Sequence, residues 1–192
     1  MVFCGPLAGC GAVFGADAEP SEATASDATS AVDGLASVEY VVDGDTLDVA
    51  IGGRTERVRL IGVDAPESVS RETPDQCFGA EASGALRTLL PEGTEVRLSR
   101  DAEFRDRYGR LLAYVHRADD DLFVNEWLLD GGFADAVFFE PNTAYRLAFS
   151  DARDAAQRAG AGLWAACTGP DQPLGSLGGP TAAGGLSPRT TR

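Results

Sequence analysis

The chain has 192 residues, 44% of them hydrophobic, which suits one domain of ordinary size with a packed core and excludes wholesale disorder. Its formal net charge is −14, and all 16 basic residues are arginine, so the broad basic face used by many nucleic-acid binders is excluded. The composition reads as adaptation to high salt, where repulsion among surface carboxylates is screened within a few ångströms; acidity for solubility alone is the alternative.

In chain order, residues 1–14 form a leader that opens MVFCGPLAGC. Its LAGC, at 7–10, resembles the lipobox of secreted lipoproteins, which implies a lipidated Cys10 and an extracellular or cell-surface protein. The apolar stretch before Cys10 is shorter than a normal signal core, and no basic residue precedes Arg54. A disordered leader with two incidental cysteines, Cys4 and Cys10, is the alternative. Residues 15–37 are rich in Ala, Ser, Thr, Asp and Glu and read as a disordered acidic linker, because they offer too little apolar surface to offset the entropy of ordering.

A folded domain is expected over 38–167. Residues 38–42 and 46–51 are β-rich runs around a DGD turn, a hairpin signal. Gly52-Gly53 makes a second turn and 55–63 a third strand. Helical spacing predicts a helix over 78–90, stopped by Pro-Glu-Gly at 91–93. Strands follow at 94–99 and 109–116, then a short helix at 124–130 closed by Gly131-Gly132. Asn142 is predicted to cap a long helix ending near Ala159. Residues 168–192 are Gly/Pro/Ser/Thr-rich and read as a disordered tail. Five short strands with a helix between the third and fourth predict an α+β fold built on a five-stranded OB-fold β-barrel with three α-helices. No apolar run approaches the roughly 20 residues of a membrane-spanning helix.

The chemistry concentrates between 42 and 67. Acid-bearing turns at 43–46 and 63–67 flank apolar runs, Arg59 lies in the second run, and Arg107 and Arg110 return in DRYGR at 106–110. Carboxylates, a backbone carbonyl and two guanidiniums are the parts needed to hold a hard divalent cation against a phosphodiester. Zinc does not fit, with a single histidine, His116, and no CxxC spacing. His116 reads as structural. No GxSxG, P-loop or Cys–His pair supports another hydrolase or kinase mechanism.

From Tyr40 to Trp164 the chain resembles the staphylococcal nuclease (thermonuclease) family. The landmarks are VDGDT, VRLIGVDAPE, Ala80-Glu81-Ala82, DRYGRLLAYV, VNEWLLDGGFA, EPN and GLW. The resemblance implies calcium-dependent cleavage of phosphodiester bonds in DNA and RNA. It implies Asp45 and Asp64 as carboxylate ligands of Ca2+, joined by the Ala65 backbone carbonyl, with Asp43 shaping the site through water. It implies Glu67 as the group that activates or positions the attacking water, and Arg59 and Arg110 as phosphate-binding arginines. Arg107 and Tyr108 match residues that contact a terminal phosphate. Residues 137–141 depart from the pattern, offering Phe and Glu where related nucleases present tyrosines and lysine. Phe139 retains the ability to stack on a base, unless Phe138 and Phe139 are both core.

The weak counterion-release term at molar salt makes an acidic nuclease workable, because binding then rests on local contacts and a metal. An exported chain would permit a Cys77–Cys167 disulfide closing a loop of about 90 residues, worth roughly 4–5 kcal/mol in the loop-entropy model; two buried thiols are the alternative. The expected protein is a monomeric, sugar-nonspecific endonuclease, tethered to the membrane through Cys10. The competing reading is a non-catalytic OB-fold module that binds nucleic acid or protein on a tethered lipoprotein.

Overall fold

The structure, a computed structural model, describes residues 34–68, 76–167 and 169–170. Three strands build the first half of the barrel: β1 (Gly34–Val41), β2 (Thr46–Ile51) and β3 (Arg54–Leu60). Their alternation puts Val38, Leu47, Val49, Val58 and Leu60 inside. The β2–β3 turn is Gly52-Gly53, both with positive φ (57° and 77°), the geometry a two-residue hairpin demands and glycine supplies without strain. After the two-residue strand β4 (Val63–Asp64) comes helix α1 (Gly79–Leu89), then β5 (Glu95–Ser99) and β6 (Leu111–Arg117).

The barrel closes in the order β1-β2-β3-β6-β5, with β3 and β6 parallel and the other pairs antiparallel. Helix α2 (Val124–Asp130) packs on β6 and on the long helix α3 (Arg146–Ala159), while the two-residue β7 (Asp135–Ala136) pairs with β4 outside the barrel. A four-residue helix, α4 (Leu163–Ala166), follows. This is the expected α+β class with a five-stranded OB-type barrel; α4 is a helix beyond the three expected. The main core fills the barrel and extends to α1, α2 and α3 through Leu86, Leu128 and Phe149. A satellite core of Leu163, Phe78 and Trp164 surrounds a disulfide between Cys77 and Cys167, whose Cα atoms stand 6.1 Å apart.

Three expectations need correction. The linker expected to reach Ser37 stops earlier: residues 34–37 are the first half of β1, paired residue by residue with β5 from Gly34↔Leu98 to Ser37↔Glu95. Main-chain pairing recruits them, with only Ala36 of the four buried in the core, because the barrel closes only through that ladder. The strand expected at 55–63 breaks at Gly62, whose φ of 78° and close approach to the Phe149 ring exclude any side chain, so β4 leaves the barrel. Asn142 caps no helix. It is 5% exposed, its carboxamide accepts the Glu103 N–H at 2.7 Å and donates to the Glu103 carbonyl at 2.9 Å, and α3 starts after Tyr145.

Candidate active site

The acidic turn between β1 and β2 is built for crowding. Asp43 Oδ1 accepts the Asp45 N–H at 3.1 Å, a local bond that folds the turn on itself. A Cβ on Gly44 would meet the Ala65 Cβ at 2.6 Å and the Ala82 Cβ at 2.9 Å, so glycine lets this turn press against the β4 exit and α1.

Asp45 is thereby sealed to 6% exposure. Its Oδ2 accepts the Ala65 N–H at 2.9 Å and its Oδ1 accepts the Thr46 hydroxyl at 2.9 Å. Arg59, on β3, reaches across with three contacts: 2.8 Å to Asp45 Oδ2, 2.9 Å to Asp64 Oδ1, and 2.7 Å to the Val63 carbonyl. One guanidinium thus fixes both carboxylates of the expected ligand pair. Burial pushes the Asp45 carboxyl up, to about 7, with Arg59 opposing and Asp43 adding to the rise. The rise follows from burial, because a single arginine does not fully offset the desolvation of this carboxyl.

Glu67 follows Pro66 at the same rim, with its side chain exposed. Partial burial raises its pKa, Asp43 and Asp64 raise it further, and Arg59 and Arg110 lower it. Four expected site residues therefore act electrostatically on one carboxyl. Arg110, at the entry to β6, is anchored by a 2.6 Å bond from its Nε to Asp106 Oδ2, while Asp106 Oδ1 accepts the N–H groups of Tyr108 and Arg110, each at 2.9 Å. Burial alone would raise the Asp106 pKa, but these donors outweigh it and hold the carboxyl below its ordinary range. Asp106 is a site residue that sequence reasoning missed; its signal is an Asp opening a glycine turn, where the side chain bonds the main chain two residues on.

A cleft of about 720 Å³ is lined by Arg59, Asp64, Arg107, Tyr108, Arg110 and Phe139, among others. Tyr108 is 69% exposed, with the Arg107 and Arg110 guanidiniums 4.8 and 5.5 Å from its ring centre. The two phenylalanines divide: Phe139 is 72% exposed at the cleft, whereas Phe138 packs against the core beneath Arg146. His116 stacks on Phe123, with ring centres 4.3 Å apart. Cys10 and the leader lie outside the described residues.

The structure therefore joins Asp45, Arg59, Asp64 and Ala65 by direct contacts, holds Asp43 in the same turn, and sets Glu67 within electrostatic reach of Asp43, Asp64, Arg59 and Arg110. Among the described residues, no three His, Cys, Asp or Glu side chains stand close enough together to hold a metal ion. A cation here would find two carboxylates, main-chain oxygen and solvent.

Fold and site define a class: an OB-type barrel carrying carboxylates and arginines at one rim, the chemistry of phosphate esters. Residues 57–166 match the family model described as Staphylococcal nuclease homologue. The thermonuclease of Staphylococcus intermedius is 42% identical over 127 residues, covering 66% of this chain and 74% of that protein. The thermonuclease of Staphylococcus hyicus is 40% identical over 124 residues, covering 65% and 72%. Endonuclease YncB of Bacillus subtilis is 38% identical over 111 residues, covering 57% and 51%. The chain belongs to the staphylococcal nuclease family.

Proposed function

We propose that this chain is a calcium-dependent, sugar-nonspecific endonuclease that hydrolyses phosphodiester bonds of DNA and RNA. The observation that carries the reading is Arg59 bridging Asp45 and Asp64 while lining one cleft with Arg110, with Glu67 within electrostatic reach of both arginines. In this reading Glu67 orients a water and draws its proton as the water oxygen attacks phosphorus; the opposite P–O bond breaks with its electron pair going to the leaving oxygen, which takes up a proton from solvent. Arg59 and Arg110 fork onto the non-bridging oxygens and stabilise the charge that grows there. Tyr108, Arg107 and Phe139 line the path of the flanking nucleotides, where exposed rings stack on bases without sequence preference.

The donors fit a hard cation. They are all oxygen, and Asp45 is a buried carboxyl whose desolvation Arg59 does not fully offset, so a cation beside it would favour its ionised form. Asp45, Asp64 and the Ala65 carbonyl would hold Ca2+, with Asp43 acting through water, and the ion would supply Lewis-acid polarisation of the phosphate. Arg59 already bridges both carboxylates, so ion binding and Arg59 placement are coupled in this reading.

The leader and linker are read as a surface tether. In that proposal Cys10 carries the lipid, residues up to Asp33 space the nuclease from the bilayer, and the chain works as a monomer in strong salt. The competing reading is an OB-fold module that binds nucleic acid or protein without cutting. Protein purified in molar salt should degrade plasmid and RNA with calcium and stop with excess chelator. Binding without cleavage under any divalent cation would favour the module, and full activity in chelator would remove the metal assignment.

A further inference from the structure

We propose that Gln76 is a positioning residue for Glu67, a role that rests on the nuclease reading above. Among the described residues, no side chain hydrogen-bonds the Glu67 carboxylate, so its placement depends on the main chain that carries it. That main chain is clamped at both polar groups by one residue. The Gln76 Oε1 accepts the Glu67 N–H at 2.7 Å, and the Gln76 N–H donates to the Glu67 carbonyl at 2.8 Å.

The clamp has a rigid backing. A Cβ on Gly79 would stand 2.6 Å from the Glu67 carbonyl oxygen and 2.9 Å from the Pro66 carbonyl oxygen, so the main chain at Pro66-Glu67 lies directly on the first turn of α1. Ser68 is tied to the same helix through a 2.6 Å hydroxyl contact with Ser83. Cys77, the residue after Gln76, is bonded to Cys167 beyond α4. Gln76 thus stands between the disulfide and Glu67, and its carboxamide transmits that anchorage to the Glu67 N–H.

A group that activates water must be held within about 0.5 Å of its productive position, and a misplacement of about 1 Å costs up to a hundredfold in rate. Removing the acceptor while keeping the volume isolates this function. Gln76→Met deletes the acceptor; Gln76→Glu keeps an oxygen in the same place. The measurement is steady-state cleavage of a short single-stranded DNA at saturating calcium, with a thermal melt of each variant.

The expected result is a fall in kcat of about tenfold or more for Q76M with KM changed less than about twofold, and kcat within about threefold of wild type for Q76E. Melting temperatures are expected to stay close to wild type; if Q76M is destabilised, Q76A is read in its place, because it removes the acceptor without requiring the thioether to pack. Unchanged kcat in the acceptor-less variant, or equal losses in both variants, would overturn the positioning role. A wild-type protein that binds DNA and does not cut it overturns the nuclease reading instead, so the two failures are distinguishable.

Discussion

Arg59 does two jobs that no single substitution separates. It balances Asp45 and Asp64 within the fold, and in the proposed mechanism it meets the phosphate. Arg59→Ala, Arg110→Ala and Glu67→Ala are each expected to lower turnover by about a hundredfold or more, the scale of losing one transition-state contact or a placed base. Near-normal kcat in all three at saturating calcium would put the binding-module reading ahead. Asp45→Ala is expected to act mainly on calcium affinity, read by calcium titration of activity. Asp106→Ala leaves Arg110 without its 2.6 Å anchor and should lower kcat by about tenfold while the protein stays folded. At His116, burial and the neighbouring Arg97 on β5 hold the imidazole pKa below its ordinary 6.5, with Asp121 opposing. The folded state therefore binds this proton less well than the unfolded chain. His116 contributes full stability above about pH 6.5, and that contribution is lost as pH falls through the depressed folded value. His116→Phe should flatten the stability profile between about pH 7 and pH 5 in urea melts; a profile unchanged by the substitution would locate the effect elsewhere.

Elements of this fold are held together at a few close approaches. The turn after α2 and the turn after α3 meet at Gly132 and Gly162: a Cβ on Gly132 would stand 2.3 Å from the Ala161 carbonyl oxygen, and one on Gly162 would stand 2.2 Å from the Gly132 carbonyl oxygen. Both glycines have positive φ, and the Leu163 N–H donates to the Gly132 carbonyl at 2.9 Å. Gly132→Ala should therefore cost about 3 kcal/mol or more, through backbone strain and overpacking together. Chemical denaturation measures it, and a loss below about 1 kcal/mol would mean that the two turns relax apart freely. The disulfide works on the same region. It joins positions separated by 90 residues, so Cys77→Ser with Cys167→Ser should cost roughly 2–5 kcal/mol. Asn142 illustrates how an element boundary is misread: a residue with good capping chemistry is drawn inward because the Glu103 main chain presents a donor and an acceptor at the right separation.

The whole molecule carries −14 formal charges and no lysine. Many of its arginines are paired with acids, among them Arg57–Asp48, Arg105–Glu56, Arg117–Asp120 and Arg153–Asp135. Exposed pairs of this kind contribute little each, so the unpaired acidic excess dominates the response to salt. In the high-salt reading the melting temperature should rise steadily from dilute buffer to molar KCl as self-repulsion is screened. A melting temperature that is flat or falls over that range would mean that the acidity serves solubility alone.

Several features were legible in the chain without coordinates. Alternating apolar residues marked the strands of the barrel, glycine pairs marked its turns, and the run from Asp43 to Glu67 together with Arg110 marked the candidate site. These are local signals, carried by side-chain period and turn chemistry over a few residues. Tertiary structure alone decided the rest. Residues 34–37 became strand because β5 offered a partner, which no local pattern records. Phe138 and Phe139 parted company because alternate side chains of one extended segment face opposite ways, one to the core and one to the cleft. Asp106 joined the site through hydrogen bonds to Arg110, and Gln76 came to Glu67 through a contact nine residues along the chain. Sequence fixes which chemical groups are present and which backbone conformations are cheap. Which groups meet is set by barrel closure and by main-chain groups that must find partners once water is excluded, and those partners are chosen by distance in space.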